Sequence, residues 1–179
     1  VLADWGFAGT LSILTKSNLV TRDIDILKRF RNAIVGLTVT SADDGISRYF
    51  EKYAPAVTDR FEALKKLNQA GIKTYAFIGP LLPHFVADEV QLEKVFKKLV
   101  EVGTKDVYIE HLNLSSYIRG RLMDEMKGTD KDIVAKFYSS QSKAYREDLE
   151  KLVKKLVEKY KMNLLLDLVI FHREFQNAS

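Results

Sequence analysis

Residues 34–80 read IVGLTVTSADDGISRYFEKYAPAVTDRFEALKKLNQAGIKTYAFIGP. This stretch decides the fold. Ile34–Thr40 is a β-branched apolar run of strand length. A short helical piece, Ser47–Tyr53, follows and stops before Pro55. Asp59–Gln69 then carries Phe61, Leu64 and Leu67 on one helical face, and Gly71 closes it as a C-cap. Lys73–Ile78 is a second strand, ending in Gly79-Pro80. A strand, a helix and a strand in this order form a βαβ unit, and the two strands are expected to lie parallel.

The same alternation extends outward. Upstream, Thr10–Thr15 (TLSILT) reads as a buried strand and Thr21–Phe30 as a helix with Thr21 as N-cap and Asp23 and Asp25 in its first turn. Downstream, Leu92–Val102 is an amphipathic helix behind an Asp88/Gln91 capping pair, and Asp106–Leu112 (DVYIEHL) is a strand. Ser116–Met126 and Lys131–Tyr160 read as helical, the latter as one long helix or a broken pair, and Leu164–Phe171 as the last strand. The Lys-rich stretch Lys151–Lys161 reads as a solvated amphipathic face, with Leu152, Leu156 and Lys159 at helical spacing. About five mainly parallel strands with helices outside make an α/β fold. They are too few for a complete eight-stranded barrel, so the expectation is one domain over 1–179, either an open sheet or part of a (β/α) barrel.

Composition bounds the function. The 179 residues are 46% hydrophobic and 29% charged, enough for one sizeable core. Cysteine is absent, which excludes disulfides, thiolate-held clusters and cysteine zinc sites within this stretch and fits a cytoplasmic setting. The net charge of +4 permits a polyanionic partner without demanding one. No apolar run approaches the roughly 20 residues of a membrane span, and no signal peptide is visible. The chain opens on Val1 rather than Met, as a fragment or a processed chain would.

In a parallel sheet the chemistry belongs at the C-terminal strand ends. Those ends carry Lys16 and Ser17, then Thr38, Thr40 and Ser41, then Gly79-Pro80 with His84 beyond, then Glu110, His111 and Asn113, and finally Asp167 and His172-Arg173. Lys16 directly after a buried strand, two Thr inside an apolar strand, and a Gly-Pro stop suit a ligand bearing a carboxylate or phosphate and hydroxyls. Glu51 and Arg60 read equally well as a structural ion pair bracing the loop after the second strand. Tyr117, Arg119 and Arg121 suit a nucleic-acid backbone or, as the plainer reading, a charged helix face. Tyr108 is expected on the opposite side of its strand from Val107 and Ile109. No G-x-S-x-G, P-loop, G-x-G-x-x-G or H-E-x-x-H pattern occurs, and His84, His111 and His172 could in principle form a metal site, though their spacing is not diagnostic of one.

Three segments, Leu11–Asp25 (LSILTKSNLVTRDID), Thr38–Arg60 (TVTSADDGISRYFEKYAPAVTDR) and Phe77–Pro83 (FIGPLLP), together resemble the middle of the spore-photoproduct-lyase-like (DNA repair photolyase-like) radical S-adenosylmethionine proteins. In that family a strand ending in T-K-S precedes an R-D-x-D helix, and a strand with hydroxyls, an A-P and a D-x-R helix follow. The likeness spans residues 10–113, with Phe50-Glu51-Lys52 standing where the family often has Phe-Glu-Pro. It implies a partial (β/α)6 barrel and a [4Fe–4S] cluster on a C-x-x-x-C-x-x-C loop, which here would lie upstream of Val1. It also implies cleavage of S-adenosylmethionine to a 5′-deoxyadenosyl radical, with nucleic acid as a possible substrate. By the same resemblance Lys16 pairs with the methionyl carboxylate, Thr38 contacts the cofactor, Ser17 and Thr40 stand beside them, and Gly79 and Pro80 let the adenine approach the backbone. The chain is then the C-terminal part of such an enzyme, binding no cofactor alone. Two alternatives stay open: a non-catalytic α/β module for nucleic acid or a partner protein, and an unrelated α/β enzyme with Glu110 as base. A barrel cut open would expose a sheet edge, so self-association is also expected.

Overall fold

The structure, a computed structural model, describes residues 2–172. The side chains of 116–118, 121 and 125 fall outside the description, and with them the expectations placed on Tyr117 and Arg121. Among the described residues, five parallel strands form one open sheet in sequence order. They are β1 (Thr10–Thr15), β2 (Asn32–Val39), β3 (Lys73–Leu81), β4 (Asp106–His111) and β5 (Asn163–Leu164). The register runs Leu14–Gly36–Tyr75–Asp106 across the first four strands, and one row up Thr38 pairs with Phe77 and Phe77 with Tyr108. Among the described residues no helix is long and apolar enough to cross a membrane.

Side-chain alternation divides the sheet into two faces. Val35, Leu37 and Val39, Ala76 and Ile78, and Val107 and Ile109 are buried in the main core. They share it with α3 (Val57–Gln69) through Phe61, Leu64 and Leu67, with α4 (Glu89–Glu101) through Leu92, Val95, Phe96 and Leu99, and with α7 (Lys143–Lys159) through Leu149, Val153 and Leu156. At the N-terminal strand ends, Asn68 ties α3 to the sheet. It donates to Val102 O and Thr104 Oγ1, both at 2.9 Å, and accepts from Thr74 Oγ1 at 2.6 Å. A smaller core sits over the C-terminal ends of β3 and β4. There α5 (Ser116–Glu125) and α6 (Lys131–Ser139) bring Leu122, Met126 and Phe137 onto Leu82 and Leu112. Phe85 joins it, its ring 5.1 Å from that of Phe50 and 6.2 Å from that of Phe137.

Several local expectations change. Residues 18–23 form a 3-10 helix capped by Ser17, and only Ile24–Leu27 (α1) is α-helical. Ser17 Oγ accepts from Leu19 N and so starts the turn ahead of Thr21, whose hydroxyl donates to Asn18 O. The helix expected at Ser47–Tyr53 is α2, Asp44–Phe50, because Asp43 caps it by accepting from the amides of Gly45 and Ile46. The region 131–160 is a broken pair. Ser140 ends α6 and Ser142 caps α7 by accepting from Tyr145 N. The expected strand Leu164–Phe171 is interrupted: Asn163–Leu164 pairs with β4, residues 165–168 turn outward with Asp167 at φ 55°, and pairing resumes only at Ile170 opposite Glu110. An apolar run with no Gly or Pro conceals that turn.

Candidate functional site

The face of the sheet away from the main core presents Ser12, Leu14, Gly36, Thr38, Tyr75, Phe77, Tyr108 and Glu110. Tyr108 lies opposite buried Val107 and Ile109, in the half-buried position that alternation requires. Tyr75 and Tyr108 meet edge to face at 5.3 Å, and Phe77 lies 6.2 Å from Tyr108. These rings need glycine beneath them. A Cβ at Gly36 would fall 2.2 Å from the Tyr75 ring, which crosses β2 to reach Ser12 on β1. A Cβ at Gly79 would fall 2.9 Å from Glu110 Cβ and 3.0 Å from the Phe77 ring. The space over Gly79, which joins Pro80 through a cis peptide, is therefore filled by the protein's own side chains.

The polar centre lies at the C-terminal ends of β1 and β2. Arg60, on α3, has no exposed surface. Its Nη1 donates to Thr38 O at 3.1 Å, its Nε to Pro55 O at 3.1 Å, and its Nη2 to Pro55 O at 2.8 Å and to Glu51 Oε2 at 2.6 Å. Glu51, just past α2, also accepts from Thr40 Oγ1 at 3.3 Å and Ser47 Oγ at 3.4 Å. Its other oxygen, Oε1, accepts from Lys16 Nζ at 2.5 Å. Burial on its own would raise the Glu51 carboxyl, but the hydrogen bonds and charges of Lys16 and Arg60 outweigh it and hold the group below the ordinary carboxylate range. The loop after β2 is thereby tied to the end of β1 and to α3 through one carboxylate.

Of the residues singled out in the sequence, this arrangement brings Lys16, Thr38, Thr40, Glu51 and Arg60 together. Arg60 is wholly buried and its donors are taken up within the protein, so it braces the site from behind. The Lys16 ammonium is different: its side chain is 44% exposed and stands at the rim of the open face. Thr38 and Thr40 are buried. Ser17 serves as the cap described above, and Ser41 donates to Asp43 O. Glu110 lies further along the rim, with Oε1 2.5 Å from His172 Nε2. His111 points to the other side of the sheet, buried against α6 and α7, where its Nε2 donates to Ser140 O at 3.0 Å. His84 meets Lys136 at 3.2 Å. The three histidines thus stand apart, and among the described residues no group of three or more His, Asp or Glu is placed to hold a metal ion.

A [4Fe–4S] cluster does not fit this chain, which has no cysteine. A carboxylate ligand does fit at Lys16, where a half-exposed ammonium has donors to spare beyond the one given to Glu51.

No family model matches the chain. Over 106 residues it is 40% identical to the uncharacterized protein MJ0683 of Methanocaldococcus jannaschii, a match covering 59% of this chain and 39% of that protein. Over 156 residues it is 27% identical to the uncharacterized protein ORF301 of Acidianus two-tailed virus, covering 83% of this chain and 48% of that one. The chain spans less than half the length of these relatives. Among solved structures it is similar to spore photoproduct lyase complexed with dinucleoside spore photoproduct. The TM-score is 0.66 at 15% identity, over 85% of this chain and 48% of that one. At that identity the likeness establishes a shared α/β fold.

Proposed function

We propose that this chain is the part of a radical S-adenosylmethionine enzyme that receives the carboxylate end of the cofactor, with the iron–sulfur cluster held by residues outside it. The observation that carries the reading is Lys16. Its ammonium stands half exposed at the C-terminal end of β1, where parallel sheets place their chemistry, in a fold shared with spore photoproduct lyase. S-adenosylmethionine, once bound, supplies hydrogen-abstracting chemistry. The chain's own work is to bind and orient. Lys16 takes the carboxylate, Glu51 and Arg60 fix the strand ends around it, and Tyr75, Phe77 and Tyr108 wall the open face with apolar surface. A nucleic-acid substrate suits the net charge of +4 and the dinucleoside photoproduct bound by the similar lyase.

A charge-assisted hydrogen bond is worth about 1.5–3 kcal/mol. In the full-length protein, Lys16→Ala should therefore weaken S-adenosylmethionine binding by about 10- to 100-fold, at about 1.4 kcal/mol per decade. Lys16→Arg should recover part of the affinity, since a planar fork cannot reuse the same point contact. Anaerobic equilibrium titration measures both. Wild-type affinity in Lys16→Ala, with fold and cluster content unchanged, would remove Lys16 from the site.

A further inference from the structure

We infer that Glu51 is the positioning residue for Lys16. The inference rests on the proposal that Lys16 receives the ligand carboxylate, and it assigns the contact that holds Lys16 ready. A lysine at the end of a strand has a flexible stem, and ordering it on ligand binding costs conformational entropy. Here the ammonium is already ordered by Glu51 Oε1 at 2.5 Å. Glu51 is itself ordered: its side chain is only 9% exposed and its Oε2 accepts from Arg60, Thr40 and Ser47. The chain of contacts thus runs from the buried core of α3, through Arg60 and Glu51, to the rim.

Charge favours the same conclusion. A bare carboxylate beside the site would repel an incoming carboxylate. Arg60 at 2.6 Å offsets the Glu51 charge, and solvent around the half-exposed Lys16 screens what remains. Lys16, Glu51 and Arg60 carry a net charge of one positive, and Lys16 alone of the three is half exposed to a ligand.

The two carboxylate oxygens face different cations, and this makes the test specific. In Glu51→Gln the amide keeps one acceptor, which the buried Arg60 retains, and turns its NH2 toward Lys16. Arg60 keeps a hydrogen bond to the side chain but loses its counter-charge, so the variant is destabilised, while Lys16 is released. S-adenosylmethionine binding to the full-length protein, measured by anaerobic equilibrium titration, should weaken about 10-fold in Glu51→Gln. In a Lys16→Ala background the same change should have less than about a 2-fold effect, because the residue through which Glu51 acts is gone. Glu51→Asp keeps the charge and withdraws the acceptor. It should also lose affinity several-fold, whereas an effect of field alone would leave it like wild type. Thermal unfolding and cluster content serve as controls, and Glu51→Asp carries the test should Glu51→Gln fail to fold.

Wild-type binding in both Glu51 variants, or an undiminished Glu51→Gln loss in the Lys16→Ala background, would overturn the inference. Lys16→Ala binding like wild type would instead sink the underlying proposal, so the two failures are told apart.

Discussion

Replacing Arg60 with methionine is expected to destabilise the protein by about 3 kcal/mol or more. Removing one member of a buried ion pair leaves its partner uncompensated, at a cost of about 3–5 kcal/mol. Here the partner is Glu51, 9% exposed, which keeps Lys16 and so falls toward the lower end of that range. The carbonyls of Thr38 and Pro55 also lose donors. For a domain of this size the midpoint of thermal unfolding should drop by about 6–12 °C, at about 2–4 °C per kcal/mol. Urea unfolding gives the free energy directly. A loss below about 1 kcal/mol, the range of exposed ion pairs, would show that the network is weaker than its burial implies.

The second large effect is acid sensitivity from His111. The imidazole is 1% exposed at the end of β4. Burial pushes its pKa down to about 4, and the nearby Arg146 charge adds to this, while the hydrogen bond to the Ser140 carbonyl works the other way. Its Nδ1 has no hydrogen-bond partner, so a second proton would bring a buried charge with nothing to receive it. In the unfolded chain the group titrates near 6.5. Unfolded chains therefore bind a proton that folded ones refuse, and stability falls as pH drops through the interval between about 6.5 and about 4. Over that interval the loss should be about 2–3 kcal/mol, at about 1.4 kcal/mol per pKa unit. Glu51 and Glu93, both held below their ordinary value of 4.5, begin to lose their own contributions as the pH falls past that value. Denaturant unfolding at a series of pH values checks this. Above about pH 5, where the carboxylates do not yet titrate, the slope should vanish in His111→Gln, and an unchanged slope there would place the acid sensitivity elsewhere.

The parallel sheet was legible because its signals are periodic and local. Ile34–Thr40 and Lys73–Ile78 read as strands, Gly71 as a stop, and Asp88 with Gln91 as a cap; each reappears in the structure, with Asp88 accepting from Gln91 N, whereas Thr10–Thr15, expected to be buried, alternates between exposed and half-buried. What misled were competitions between neighbouring groups. Ser17 and Thr21 are both capping residues, and only the hydrogen bonds made at Asn18 and Leu19 choose between them. The turn at Asp167 lies inside an apolar run, with a positive φ on a residue type that tolerates it.

For the site, position after a strand picked out Lys16, and a hydroxyl inside an apolar strand picked out Thr38. The Glu51–Arg60 pair was legible as a possible brace, but its contact with Lys16 joins residues 35 positions apart and follows only from the packing of β1 against β2. The role of Gly79 was not legible, because the side chains that fill the space above it belong to β3 and to the next strand. Likewise His111 and Glu110 are neighbours in sequence, and only the alternation of β4 sends one to the helices and the other to the open face.

The central proposal is tested most directly by following S-adenosylmethionine under reducing, anaerobic conditions with the full-length protein carrying its reconstituted cluster. Chromatography of the products should show formation of 5′-deoxyadenosine, lost when Lys16 is replaced by alanine at limiting S-adenosylmethionine and restored in part at saturating concentration. Intact S-adenosylmethionine after prolonged reduction of a protein with full cluster content would contradict the assignment.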